Sequence, residues 1–426
     1  MDALILSCGT GGGHNAAGRA LREELIRRGH RAVMMNPYTL RGQNLAGKID
    51  HAYIATAQKA PRAFGAVYGA GELYRRLPFR SPVYYANPAM ISRMEEYLEE
   101  NHFDIVIMPH LFPAEIMTNM KRRGMDIPRT MFIATDYCCI PFTEETDCDA
   151  YVVPGEELTD EFAGRGIPRE KIYPLGIPVG RSFRTGRRRS GAAAGSMPDR
   201  GQGNVPEEAY KDAAASGNLS EADFRRDCKR EERADWEPGK RYLLIAGGSI
   251  GAGKIDKLIG LLLEQAERDA PRQETGIIVI CGNNQELYWK LKRQYGTRVI
   301  VVGHTDYMAD YLRISSLYIT KPGGLSSTEA AVCGIPLLHM PAIPGCETHN
   351  VRYFREHGMS VCCDVSQEGA ESVFRMLNDE RACAEMVECQ RRYIRRDAAS
   401  DICRLAEEMV SGWEERRTAA LCLSCQ

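Results

Sequence analysis

Short apolar runs alternate with amphipathic stretches along most of the chain. The first run covers residues 3–7, and a segment with helical periodicity follows from about residue 15 to residue 28. Similar apolar runs follow at 32–35, 105–108, 131–134 and 151–153. Short buried runs separated by helical patterns are typical of βα units in a parallel sheet. The pattern therefore predicts an α/β domain in the first part of the chain.

The same alternation restarts in the second part of the chain. Its apolar runs lie at 242–246, 277–281, 299–302, 317–320 and 336–340. Two Rossmann-like halves are the simplest interpretation of the two series. The predicted fold class is α/β, with two parallel-sheet domains.

The segment between the two halves has a different composition. Of the 40 residues from 181 to 220, 18 are Gly, Ala or Ser, and three arginines stand together at 187–189. So little apolar material does not offset the entropy of ordering the chain, which predicts a flexible linker or insertion over 181–238. The alternative for the arginines is a contact with anionic lipid.

Residues 37–88 also lack the βα rhythm. Basic residues outnumber the two acids there, Asp50 and Glu72, and aromatic residues are interleaved with them. Two interpretations stay open. The segment is a membrane interface, with rings at the depth of the headgroups and cations facing anionic lipid, or it is a helical excursion whose rings fill the core of its own domain.

Composition excludes several classes of protein. With 55 Lys plus Arg against 57 Asp plus Glu, the net charge of −2 gives no global basic field, so no nucleic-acid partner is expected. No run approaches the roughly 18–20 apolar residues of a membrane span, and the N-terminus does not read as a signal peptide. The 15 scattered cysteines favour reduced thiols and a cytoplasmic location.

The first glycine-rich turn, which ends in Gly11, Gly12, Gly13 and His14, follows the first predicted strand and opens a helix. Such a turn can hold a phosphate or bring the backbone close to an acceptor. His14 replaces the third glycine of the dinucleotide fingerprint, and the second strand ends in Asn36 rather than an acid, which argues against NAD. The helix dipole disfavours a cationic His14, so a neutral general base is one interpretation and a capping histidine is the other.

The second glycine-rich turn spans residues 247–254 and has the spacing of a Walker A motif. Ile255 stands where that motif needs Ser or Thr for Mg²⁺, which argues against an NTPase. Backbone amides around Gly248, Ser249 and Gly251 remain able to hold a phosphate without a metal.

The third glycine-rich turn contains Gly323 and Gly324, followed by the hydroxyls of Ser327 and Thr328. These residues suit the start of a helix that binds an anion. Glu329 could accept hydrogen bonds from a ribose diol, or it could simply complement the helix dipole.

Residues 9–21, GTGGGHNAAGRAL, resemble the N-terminal signature of the monogalactosyldiacylglycerol synthase and processive diacylglycerol glucosyltransferase family. Further similarity to this family lies at 148–162, 166–179, 247–254 and 321–336. The resemblance covers most of the chain outside about 181–238. The family is related to the MurG-type transferases of family 28.

The resemblance implies a GT-B fold, in which two Rossmann-like domains face each other across a cleft. It implies an acceptor and membrane-binding domain over 1–180, a UDP-sugar domain over 239–395, and a final helix over 396–426 that crosses back to the first domain. Such enzymes transfer a hexose, glucose or galactose, from a UDP-sugar to diacylglycerol with inversion, and they need neither metal nor cofactor. The implied partners are therefore a UDP-hexose, diacylglycerol and the anionic inner face of the cell membrane.

The resemblance also assigns residues. His14 falls on the proposed catalytic base, Glu329 on the acid that binds the donor ribose, and Gly11, Gly12 and Gly13 on the acceptor or phosphate loop. The other implied donor contacts are Gly248, Ser249, Gly251, Gly303, His304, Met308, Gly323, Gly324, Ser327, Thr328, Glu347 and Asn350.

One segment departs from the family pattern. The family commonly reads G-Q-E-x-G-N where this chain has residues 345–350, so Cys346 replaces a Gln and His349 replaces a Gly. The choice between glucose and galactose therefore stays open at this stage. Two other functions also stay open: MurG-like transfer of N-acetylglucosamine to a lipid-linked acceptor, and a catalytically degenerate sensor of nucleotide sugars.

Overall fold

The computed structural model describes residues 1–9, 12–42, 61–75, 79–81, 84–85, 88–185, 240–248, 251, 254–269 and 274–424. The strands of a first sheet are β1 (Asp2–Leu6), β2 (Arg31–Met35), β3 (Ile105–Met108), β4 (Arg129–Ile133), β5 (Ala150–Val152) and β6 (Ile172–Tyr173). The strands of a second sheet are β7 (Arg241–Ala246), β8 (Thr275–Ile280), β9 (Ile300–Val302), β10 (Leu317–Thr320), β11 (Leu337–His339) and β12 (Val361–Cys362).

Helices connect these strands. In the first half they are α1 (Gly12–Arg27), α2 (Pro61–Tyr74), α3 (Pro88–Glu100), α4 (Leu111–Arg122), α5 (Thr159–Gly164) and α6 (Arg181–Arg184). In the second half they are α7 (Ile255–Asp269), α8 (Gln285–Tyr295), α9 (Met308–Ile314), α10 (Gly324–Cys333), α11 (Cys346–Glu356), α12 (Gln367–Asn378), α13 (Glu380–Tyr393) and α14 (Ala398–Ser424). Short 3₁₀ turns lie at Pro37–Arg41, Thr143–Glu145, Glu156–Leu158 and Arg169–Lys171.

Both sheets are wholly parallel and have six strands each. The strand orders are β2-β1-β3-β4-β5-β6 and β12-β11-β10-β7-β8-β9. The predicted α/β fold class is therefore confirmed, and every predicted strand is present within two residues of its predicted bounds. Sequence reasoning missed β6 and β12, which are only two residues long and cannot show an alternating pattern.

Each sheet is covered by helices on both faces, as parallel sheets require. In β1, Ile5 faces a cluster with Leu25 of α1 and Ile402 of α14, while Leu6 faces the opposite cluster, which includes Met94 of α3. Each such fully buried aliphatic side chain contributes roughly 1.5–3 kcal/mol by its removal from water. The first sheet thus depends on a helix from the far end of the chain.

The last helix, α14, returns to the first domain and is held there by polar contacts as well. Glu407 accepts a hydrogen bond from His30 Nε2 at 2.7 Å and pairs with Arg28 at 3.5 Å. Ile402, Cys403 and Ala406 are buried against α1 and the first sheet. This packing ties the two ends of the chain together.

Two segments singled out above lie partly or wholly outside the described residues. Of the predicted linker only residues 181–185 are described, and they include α6. Of residues 37–88 the structure describes 37–42, 61–75, 79–81, 84–85 and 88. Tyr74 packs edge-on against Phe142, whereas the side chains of Leu73, Phe79 and Tyr85 are 66, 63 and 61% exposed. Some apolar side chains of this stretch therefore pack inside the domain, and others are exposed to solvent.

Candidate active site

The carboxyl ends of parallel strands meet at one edge of a sheet, where α/β proteins bind ligands. The turn after β1 leads into α1, the turn after β7 contains Gly248, and Lys321 follows β10 directly. The glycine-rich turns are therefore brought to the facing edges of the two sheets.

His14 lies in the first turn of α1, because this helix begins at Gly12 rather than near residue 15. Its Nδ1 is 2.8 Å from the Pro109 carbonyl oxygen and 2.9 Å from Thr135 Oγ1. Because a carbonyl oxygen can only accept, Nδ1 carries the proton and donates it to Pro109. The Nε2 lone pair is then available as a base.

The electrostatic surroundings keep His14 neutral near pH 7. Burial lowers the pKa of His14, and the Asp136 carboxylate and the bond to Pro109 oppose this effect. His110 stands edge-on to His14 with ring centroids 4.6 Å apart, and burial lowers the pKa of His110 well below its usual value. His14 is therefore a neutral imidazole at the start of a helix, which suits a general base.

A narrow pocket opens beside His14. Thr135 and Asp136 line it together with His14, and its apolar wall includes Leu111, Phe132, Ile140 and Phe162. A polar base against an apolar wall suits an acceptor hydroxyl carried by a hydrophobic molecule.

The start of α10 meets the first domain next to this pocket. A Cβ placed on Gly324 would lie 2.0 Å from the Thr135 carbonyl oxygen, so only glycine allows this approach. A Cβ on Gly13 would lie 3.6 Å from the Leu325 Cβ. The N-terminal turns of α1 and α10 therefore face each other, and both bring positive helix-end potential to the cleft.

The hydroxyls of Ser327 and Thr328 are hydrogen-bonded to other groups of the second domain. Ser327 Oγ hydrogen-bonds the buried His339 Nε2 at 2.9 Å, and Thr328 Oγ1 donates to the Gly324 carbonyl oxygen at 2.7 Å. Both residues are at most 1% exposed, because the second turn of α10 turns this face toward the core. Any anion contact at this turn is therefore left to Gly323, Gly324 and the first amides of α10.

Glu329 is half-buried on α10. Burial raises the pKa of Glu329 to about 8, and Arg19 of α1 opposes the shift. A half-buried carboxyl group with a raised pKa is a candidate binding group, because ligand hydroxyls can donate hydrogen bonds to it.

Sequence reasoning gave no role to Lys321, although this lysine directly follows β10. Its Nζ is 3.0 Å from Glu347 Oε1, and its side chain passes over Gly248, where a Cβ would lie 2.6 Å from Lys321 Cε. Gly248 has a φ of +71°, which only glycine adopts readily. A cation thus stands over the turn that is predicted to hold a phosphate.

The other predicted donor residues are distributed along the same edge. Three of them follow β9: Gly303, the exposed His304 and the half-buried Met308. Gly251 packs against the turn after β8, where a Cβ would lie 2.6 Å from the Cys281 carbonyl oxygen. Ser249 and Gly11 lie outside the described residues.

Two predicted donor contacts on α11 have protein partners instead. Glu347 accepts from the Ile343 N–H at 3.0 Å as well as from Lys321. Asn350 is 0% exposed and bonds Asp136, Tyr137 and Pro322. It has these partners because α11 faces the first domain here.

Comparison with known proteins identifies the two halves. Residues 14–179 match the monogalactosyldiacylglycerol (MGDG) synthase family, and residues 242–400 match the glycosyltransferase family 28 C-terminal domain. Each half of the chain therefore matches a family of glycosyltransferase domains. The family resemblance stated from the glycine-rich motifs is thereby confirmed, as is the prediction that the protein is an enzyme.

Curated relatives align with this glycosyltransferase over most of its length. A processive diacylglycerol beta-glucosyltransferase from Bacillus licheniformis is 24% identical over 390 residues, covering 90% of this chain and 89% of the relative. An enzyme of the same name from Bacillus subtilis is 25% identical, covering 88% and 87%.

Solved structures share the fold of this glycosyltransferase. MurG from Acinetobacter baumannii superposes with a TM-score of 0.55 at 15% identity, covering 96% of this chain and 99% of MurG. UDP-GlcNAc 2-epimerase from Neisseria meningitidis, solved with UDP-GlcNAc, gives a TM-score of 0.57 at 13% identity, covering 96% and 100%. The two facing parallel-sheet domains are therefore a GT-B fold, as expected from the resemblance.

Proposed function

We propose that this glycosyltransferase transfers a hexose from a UDP-sugar to diacylglycerol at a membrane surface. The observation that carries the proposal is the meeting of two turns across the cleft: Gly13 and His14 at the start of α1, and Gly324 and Leu325 at the start of α10. A base and an anion-binding helix end thus stand on opposite sides of one site. The names of the curated relatives support diacylglycerol as the acceptor and glucose as the first sugar to test.

The proposed reaction is a direct displacement. A glycerol hydroxyl is too weak an acid to ionise at pH 7, so Nε2 of His14 takes its proton as the oxygen attacks the anomeric carbon. The bond from that carbon to the β-phosphate oxygen breaks, and UDP leaves with the bonding electrons. Attack opposite the leaving group inverts the anomeric configuration.

Negative charge that develops on the departing diphosphate needs stabilisation, and we propose that protein groups supply it without a metal. Lys321 stands over Gly248, and the first amides of α10 point out of the helix start toward the cleft. In the structure Lys321 is paired with Glu347, so diphosphate binding exchanges one anion partner for another. Glu329 is proposed to accept hydrogen bonds from the ribose diol.

Exposed apolar residues at the end of α2 and after it support docking on lipid. Leu73, Phe79 and Tyr85 are exposed, and the Arg80 and Arg122 guanidinium groups lie over the neighbouring Tyr84 ring at 4.6 and 5.5 Å. Aromatic and apolar side chains beside arginines suit the headgroup region of an anionic bilayer. Among the described residues, no helix has the length and apolar character that crossing a bilayer requires.

A donor-by-acceptor assay tests the proposal. The full chain is incubated with UDP-glucose, UDP-galactose or UDP-N-acetylglucosamine and with liposomes that carry either diacylglycerol or a polyprenyl-linked sugar acceptor. We expect hexosyl-diacylglycerol, detected by mass, from UDP-glucose or UDP-galactose. Transfer of N-acetylglucosamine to the polyprenyl acceptor alone would replace the proposal with a MurG-like function, and UDP binding without any transfer would indicate a sensor.

A further inference from the structure

The loop that follows β4, residues 135–137, is held by the second domain. Asn350 of α11 is fully buried against it. Its Oδ1 accepts from the Tyr137 N–H at 2.7 Å, and its Nδ2 donates to Asp136 Oδ1 at 2.7 Å and to the Pro322 carbonyl oxygen at 3.0 Å. Both amide hydrogens of Asn350 are therefore used within the protein, and its carboxamide is shielded from a sugar hydroxyl.

Other groups of the second domain hold the same loop. The Tyr137 hydroxyl is 2.7 Å from Thr328 Oγ1, and its ring stacks on Tyr353 with centroids 4.6 Å apart. Gly324 packs directly on the Thr135 carbonyl oxygen. The conformation of residues 135–137 thus depends on α10 and α11.

This loop also forms the surroundings of His14. Thr135 Oγ1 lies 2.9 Å from His14 Nδ1, and the Asp136 carboxylate raises the proton affinity of His14 against the effect of burial. The ionisable side chains that face His14 include Asp136 from the loop and His110 from the residue before α4. His110 is buried and neutral, so Asp136 is the charge that can stabilise an imidazolium.

We propose that Asn350 is a positioning residue. By binding Asp136 and Tyr137 across the cleft, it places the Asp136 carboxylate beside His14, so that the base is supported only when the two domains are clamped together. The proposal rests on the proposed function for the use of His14 as a base. It assigns Asn350 to the acceptor half of the reaction, although this residue belongs to the donor domain.

The test measures the titration of His14 by NMR of the imidazole ring in the full chain without substrate. Asn350→Leu removes the hydrogen bonds at similar volume, Asp136→Asn removes the charge but keeps an oxygen that accepts from Asn350, and Arg355→Gln on the exposed side of α11 is the control. We expect both test variants to lower the pKa of His14 and the double variant to lower it no further than Asp136→Asn alone. The control leaves the His14 titration unchanged.

Kinetics supply the second readout. For Asn350→Leu we expect kcat to fall by about tenfold or more, since misplacement of a catalytic group is costly, with UDP affinity unchanged. The acidic limb of the kcat profile, measured at saturating donor and acceptor, should move to lower pH together with the His14 titration. A raised KM for the donor with an unmoved His14 titration would make Asn350 a sugar ligand and overturn the proposal.

The two proposals fail separately. If the wild type transfers sugar but the His14 titration is the same in all variants, the clamp is wrong and the proposed function stands. If no donor and acceptor pair reacts, the proposed function fails, and the His14 titration still decides whether Asn350 positions Asp136. Should Asn350→Leu not fold, as judged by circular dichroism, Asn350→Ala, which removes the same side-chain hydrogen bonds without a branched side chain, carries the test.

Discussion

At the scale of single residues, His14 shows how opposing influences set a base. Burial and the helix start disfavour its cationic form, while the nearby Asp136 carboxylate favours it. The lowered pKa keeps the imidazole neutral at pH 7, and the Pro109 carbonyl selects the tautomer that leaves Nε2 free. The position of His14 at a helix start could be predicted from the sequence, but burial is the larger cause of its lowered pKa.

Replacing His14 with Ala is expected to lower kcat by about 10²–10⁴-fold, the usual contribution of a general base. The Kd of UDP, measured by calorimetry, should stay within about twofold. His102→Ala, which removes a largely exposed imidazole, is the control. Transfer near the wild-type rate in His14→Ala would remove this histidine from the role of base.

The wild-type pH profile follows from the same pKa. The base must be neutral, and burial lowers the pKa of His14 below its ordinary value of 6.5. As pH falls, kcat at saturating donor and acceptor should therefore hold through pH 6.5 and decline only when the lowered pKa is reached; kcat/KM for the donor also carries the titration of Glu329. An acidic limb of kcat above pH 6.5 would contradict the assignment.

Glu329 shows the opposite balance. The N-terminal part of a helix favours a carboxylate, but burial prevails and raises the pKa of Glu329 to about 8. If the Glu329 carboxylate accepts hydrogen bonds from a ribose, Glu329 must lose its proton when UDP binds below pH 8. UDP should therefore bind more tightly as pH rises from 6.5 to about 8.

Glu329→Gln tests this linkage. We expect UDP to bind the variant more weakly and to lose the part of the pH dependence that wild type shows between 6.5 and 8.5, which can reach about tenfold per pH unit. Calorimetry in two buffers of different ionisation enthalpy counts the released proton. Glu356→Gln, which removes an exposed acid at the end of α11, should behave as wild type, and identical curves for Glu329→Gln would refute the ribose role.

At the scale of elements, the start of α10 joins the two halves of the site. Its first residue, Gly324, lies against the Thr135 carbonyl oxygen, and its second turn is fastened by Ser327 to His339. The backbone at the start of α10 thus faces the cleft, whereas the Ser327 hydroxyl binds the helix to the core of the second domain.

Gly324→Ala should force α10 away from the first domain, because its Cβ would lie 2.0 Å from the Thr135 carbonyl oxygen. We expect a loss of kcat and a destabilisation of about 1–3 kcal/mol, typical of overpacking, measured by kinetics and thermal unfolding. Gly164→Ala at the end of α5, where nothing lies within 4 Å, is the matched control. Normal turnover in Gly324→Ala would show that the close approach is dispensable.

At the scale of the whole molecule, the surface at the end of α2 exposes several large apolar side chains. Leu73, Phe79 and Tyr85 expose large apolar side chains, while Tyr68 of the same stretch turns toward Gly345 and His349 of the second domain. The segment therefore combines a face that we propose for lipid with a contact to the donor domain.

Replacing Leu73, Phe79 and Tyr85 together with Ser should weaken binding to vesicles of anionic lipid, measured by co-sedimentation. If the three apolar side chains insert into the bilayer, their loss lowers the affinity for vesicles by more than tenfold. Transfer to a detergent-dispersed acceptor should persist, since the catalytic groups are untouched. Ile26→Ser, a similarly exposed aliphatic on α1, is the control, and unchanged sedimentation of the triple variant would place the membrane contact elsewhere.

Much of this protein could be derived from local patterns. The βα alternation, the three glycine-rich turns and the ordered motifs predicted two parallel-sheet domains and the glycosyltransferase family, because these features depend on neighbours in sequence. His14 and Glu329 were proposed as site residues in the same way, each from its place after a strand and near a helix start.

Only the tertiary structure decided which polar groups are available. Ser327, Thr328 and Asn350 suit a ligand in sequence, yet their side chains are bonded within the protein. Lys321 begins the motif at 321–336, but only the fold shows that its side chain lies over Gly248. Asn350 has partners, Asp136 and Tyr137, that lie more than 210 positions away across the domain interface. Ser327 and Thr328 bond nearby groups because α10 turns this face toward the core. Local sequence determines where a helix begins, whereas burial and the partner domain determine what its side chains can still bind.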